Sequence, residues 1–199
     1  MRVRALVIAL PALAPSLAAA HSRAGVSQGD GIPIDSLTHG QMAVIARHRA
    51  DILTLAARHH PADDALRRLT NHAALQHSWC LWGLMPGTVS DEGSPFNLCA
   101  HAALGAARAA LLRLQVLRPD DPAVTGLIRR IEGEMLAEGS SLTLCQYSDA
   151  AFDTATLIGP DWAAVPAHWP SAAAMLGLTA ALAGGLAALR PPRRHPAVG

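Results

Sequence analysis

Apolar positions in the middle of the chain recur at three- and four-residue steps. Leu37, Gln41, Val44, Ile45, His48, Ile52 and Leu55 make one stripe, polar only at Gln41 and His48, while Arg47, Arg49 and Asp51 point elsewhere. That is the period of a helix with one face on a core, and it predicts a first helix starting near Ser36. His60-Pro61 places a proline at a first helical position and Asp63-Asp64 in the first turn, opening a second helix that runs to about Met85 before Pro86-Gly87. Ser94-Pro95 repeats the device for a third helix to about Leu117, and Asp121-Pro122 opens a fourth to Glu138. After a break at Gly139-Ser140-Ser141, helix is expected to resume from Leu142 to about Ala155. No alternating segment is long enough to build a sheet, and no internal repeat is present. The pattern therefore predicts an all-α fold, an up-and-down bundle of four to five helices spanning residues 36–156.

Both ends are apolar, in different ways. Met1 to Ala20 carries Arg2 and Arg4, an apolar stretch and Ala18-Ala19-Ala20, the layout of a signal peptide with a small-residue cleavage site over residues 1–20. Residues 21–35, rich in Gly, Ser, Pro and Asp, read as a flexible leader. Ser171 to Leu189 lacks charge, follows Trp162 and Trp169 and precedes Arg190, Arg193 and Arg194, as a transmembrane helix over 171–189 with a basic tail over 190–199 would. Its Pro-containing approach, apolar helix and arginine cluster also look like a bacterial C-terminal sorting signal, without the usual Pro-Glu-Pro element. Residues 157–170, with their prolines and tryptophans, read as an extended stalk. The expected address is the periplasmic side of the cytoplasmic membrane.

Composition narrows the chemistry. Hydrophobic residues make up 51% of the chain but aromatics only 4%, so the core must pack with Leu, Ala, Val and Ile, which favours helices. A net charge of +1, with basic residues clustered only at the C-terminus, leaves no electrostatic footprint for nucleic acid. Three cysteines in an exported chain allow one disulfide and leave one thiol. Cys80 and Cys99 lie nearly symmetrically about the link between the second and third helices, level in an antiparallel hairpin and able to approach as a disulfide requires. Cys145 is then left over as a buried small hydrophobe.

A sharper alternative groups His77 with Cys80, at i and i+3 on one helical face, and adds Cys99 and Cys145 as a copper or zinc site. His101 points to another side of its helix than Cys99 and is a poor partner in that set. The segment from Trp79 to His101 is the least generic part of the chain. Trp79 and Trp82 are expected to anchor the core; if exposed, they join Asp91, Glu92 and His101 as a surface for a protein or small-molecule partner. Asp149 and Asp153, a helical turn apart, read as a solvated face. No nucleophile elbow, phosphate loop or His-Glu-x-x-His motif occurs, so catalysis has no positive support. Two functions are expected in order: a membrane-anchored, non-enzymatic binding module, and a periplasmic protein handling copper, zinc or thiol redox through its Cys/His cluster.

Overall fold

A computed structural model describes residues 31–61 and 63–189. The signal-peptide segment, residues 21–30 of the leader and the basic tail lie outside them. The chain is mostly helical: α1 (His39–Ala57), α2 (Asp64–Trp79), α3 (Asn97–Leu117), α4 (Pro122–Ala137) and α5 (Trp169–Ala188), with two short strands, β1 (Pro33–Ile34) and β2 (Phe152–Asp153).

Local chemistry sets the helix starts. Thr38 caps α1 in a capping box, its hydroxyl taking the Gln41 N–H while the Gln41 side chain returns to the Thr38 N–H, which explains one polar member of the apolar stripe. His48, the other, reaches Glu134 of α4 at 2.9 Å. Asp63 caps α2 through the Leu66 N–H, and its two oxygens also take a forked pair of bonds from Arg113 of α3 at 3.0 and 2.7 Å. That grip holds the Asp63 carboxyl down to about 2. Asp121 and Pro122 open α4 as the sequence predicts. Gly139, left-handed at φ 59°, follows the end of α4, where only glycine is unstrained.

α3 is the central element. It packs most extensively on α2, next on α1, and α1 also carries α4. Ala100, Ala102, Ala103, Ala106, Ala107 and Ala110 are all buried on α3; small side chains let the neighbouring backbones come close. Met42, Ile45, Ile52, Leu66, Leu69, Leu114, Val124 and Ile128 fill the rest of the core.

The structure departs from expectation in several places. Helix α2 starts at Asp64 behind its Asp63 cap and not at Pro61, and α3 starts at Asn97, with Phe96 and not Ser94 at the cap position. α2 ends at Trp79, because Cys80 is tied to Cys99 and Leu81, Trp82 and Gly83 turn with positive φ. Trp79 and Trp82 are thereby 55% and 61% exposed, not core anchors. No helix runs from 142 to 155: β2 there pairs antiparallel with β1, Pro33 opposite Asp153 and Ile34 opposite Phe152, so the fold is not purely α and the leader's last residues are structured. Ile34 and Phe152 are both buried, which drives a pairing too short to register as an alternating pattern.

The expected stalk is also folded onto the body. Gln76 of α2 makes two bonds to the Ile158 backbone, at 2.6 and 2.9 Å, the Asp161 N–H donates to the Pro95 carbonyl, and Trp162 meets Phe96 edge-on at 5.6 Å. Beyond it, α5 is long and apolar enough to cross a membrane, with mean hydropathy 1.6. Its leucines at 176, 178, 182 and 186 are exposed.

Candidate metal centre

Three elements meet where α1 begins. α1 supplies His39 as its first residue, α3 supplies His101, and the segment after α4 supplies Cys145. That segment is pinned to the start of α1. Thr38 Oγ1 donates to the Ser140 carbonyl at 2.7 Å, and the Gly40 N–H donates to the Thr143 carbonyl at 3.2 Å. Ser148 then closes a tight loop around the cysteine: its hydroxyl accepts from the Cys145 N–H at 2.9 Å and its N–H donates to the Cys145 carbonyl at 3.1 Å. Ser36 holds this loop by donating to the Ser148 carbonyl.

One ring nitrogen from each of His39 and His101 and the sulfur of Cys145 lie within 4.8 Å of one another. The Cys145 sulfur is 3.3 Å from Nε2 of His101, close to the roughly 3.5 Å that separates sulfur and nitrogen ligands of one tetrahedral zinc. His101 is 1% exposed. Burial, and secondarily the neighbouring His39, pushes its pKa down to about 4. The ring is therefore neutral and able to offer a lone pair throughout the ordinary pH range. Nδ1 of His39 and Nδ1 of His101 are both buried without a hydrogen-bond partner among the described residues, an uncommon cost for polar atoms. Tyr147 lies edge-on to the His101 ring, centroids 6.0 Å apart, and restricts its rotation. Cys145 is half-buried and unpaired.

The predicted site residues divide accordingly. The Cys80–Cys99 disulfide is formed, with Cα atoms 5.8 Å apart. This takes both sulfurs out of the predicted metal set of His77, Cys80, Cys99 and Cys145. His77 stands instead near Arg49, whose charge, after burial, lowers its pKa; a fixed cation is a poor neighbour for a metal ion. Cys145 alone carries over. His101 does face another side of α3 than Cys99, but that is the side on which Cys145 sits, so it belongs to the cluster and not to an exposed partner surface. His39 gave no sequence signal beyond following a helix cap, because its role depends on where the segment after α4 returns.

Asp91 lies 3.0 Å from Nε2 of His168, whose Nδ1 is 2.7 Å from the Ser171 hydroxyl. The order Ser, His, Asp is that of a hydrolase, but Ser171 is fully buried in the first turn of α5 and offers a substrate no access. The trio caps α5 and fixes its start to the body. Glu92 is exposed and uses its carbonyl to take a bond from Gln146. Asp149 and Asp153 do not share a helix; Asp153 lies in β2 and caps the following turn through the N–H groups of Ala155 and Thr156. Comparison with protein-family models, with curated proteins and with solved structures finds no match.

Proposed function

We propose that this chain is a metal-handling protein: an exported up-and-down helical bundle, held by α5 on the periplasmic side of the cytoplasmic membrane, that binds one thiophilic ion through His39, His101 and Cys145. The observation that carries the reading is His101, a fully buried imidazole with a depressed pKa that faces a thiol at 3.3 Å. A thiolate with two imidazoles is a donor set for copper(I) or zinc(II) and a poor one for magnesium or calcium. Three donors leave a coordination position for a fourth group from a partner or solvent, which suits uptake and transfer better than a closed structural site. Metal binding displaces the thiol proton of Cys145, while His101 has no proton to give up above about pH 5.

This keeps the non-enzymatic reading and supplies the binding module with a ligand. A cysteine nucleophile in the same place is disfavoured, because it needs an imidazolium beside the thiolate and burial opposes the charged ring. The test is an anaerobic competition titration of zinc and of copper(I) against chromophoric chelators, using wild type, Cys145→Ser, His101→Ala and His77→Ala. One ion per chain is expected, weakened at least about tenfold in the first two variants and unchanged in the third. Equal binding by Cys145→Ser would overturn the proposal.

A further inference from the structure

A second site lies away from the metal centre, between α1, the turn after α2 and the start of α3. A cavity of about 70 Å³ is walled there by Ala46, Val89, Ala103 and Leu104, with Arg49 and His77 as its charged and titratable lining. Arg49 is the anomaly. Its Nε is buried with no hydrogen-bond partner, and no carboxylate among the described residues pairs with it. Burial lowers the pKa of Arg49, and burial first, then the Arg49 charge, lowers that of His77, so His77 senses a cation with no counter-ion beside it. A partly buried, unpaired guanidinium is costly. The wall is also fixed: Cys80 lines it from the disulfide, and Gly83 lines it with φ at 68°, a conformation side chains resist.

We infer that this cavity binds a short-chain carboxylate, its carboxyl group on Arg49 and its few carbons against the alanine, valine and leucine wall. The guanidinium fork matches a carboxylate with two parallel bonds. A single partly buried guanidinium balances one negative charge, not the two of sulfate or hydrogen phosphate, and the apolar wall rewards a hydrocarbon tail. About 70 Å³ limits that tail to two or three carbons. None of these residues belongs to the metal centre, so the two readings stand or fall separately.

The experiment is a titration of the full chain in detergent micelles with sodium propionate against sodium chloride at constant ionic strength, following the His77 ring by NMR. A saturable shift and a rise in the His77 titration midpoint are expected with propionate, because the anion cancels the field of Arg49. The response should weaken at least about tenfold in Arg49→Met and less in Arg49→Lys, with metal stoichiometry and helical circular dichroism kept in both. No saturable shift up to about 50 mM propionate, an equal response in Arg49→Met, or equal saturation by chloride would each overturn it.

Discussion

At position 40 a Cβ would lie 2.5 Å from the carbonyl oxygen of Ser140, so the first turn of α1 and the segment carrying Cys145 can touch only because that residue is glycine. Gly40→Ala is expected to push the segment outward, destabilising the fold by about 1–3 kcal/mol as overpacking does and weakening metal binding at least about tenfold. Chelator competition beside a thermal melt checks both effects; unchanged affinity would show that the Ser140 contact does not position Cys145. His72 makes a separate residue-scale prediction. It is 4% exposed with Nε2 unpartnered, and burial holds its pKa below the ordinary value against the opposing charge of Asp153. Its stabilising contribution is then complete above about pH 6.5, where the unfolded ring is also neutral, and is lost as the pH falls and the unfolded chain takes up the proton first. Urea melts of His72→Leu should show a shallower loss of stability between about pH 6.5 and 5 than wild type.

The elements were legible to different depths. The Asp121-Pro122 start of α4, the apolar stripe of α1 and the Cys80–Cys99 staple follow from chemistry within a few residues or from symmetry about one link, and sequence reading reaches them. The early end of α2 was not legible, because it follows from the disulfide and from the left-handed turn at Leu81–Gly83. β1 and β2 were not either: two residues each, they exist because Ile34 and Phe152 have a hydrophobic surface to cover. The candidate metal centre shows the same limit, since Cys145 was visible and His39 depends on contacts about 100 residues apart in sequence, such as Thr38 with Ser140. The staple yields the element-scale prediction. It joins cysteines 19 apart in sequence, a loop closure worth about 3 kcal/mol in the chain-entropy model. A Cys80→Ala, Cys99→Ala double variant should melt roughly 6–12 °C lower yet still hold one ion per chain. Loss of the ion from a variant that remains folded would return these sulfurs to the site.

Across the whole molecule, the body and α5 have opposite surface chemistry. The body gathers its apolar residues into one core, with exceptions such as Trp79, Trp82 and Leu84 left exposed, whereas the candidate membrane span of α5 is only 6% buried and would leave a large apolar surface in water. His168, Asp91 and Ser171 tie its first turn to the domain, which would hold the metal centre at a set distance from a bilayer. A chain ended at His168 should move from carbonate-washed membranes to the soluble fraction; retention in the membrane would assign the anchoring elsewhere. The proposed function depends on the donor set of His39, His101 and Cys145. X-ray absorption at the metal edge of zinc-loaded protein tests it most directly: one sulfur near 2.3 Å and two imidazole nitrogens at about 2.0–2.1 Å, with the sulfur lost in Cys145→Ser, is the predicted result. A zinc environment without sulfur, or one unchanged by Cys145→Ser, would contradict the account.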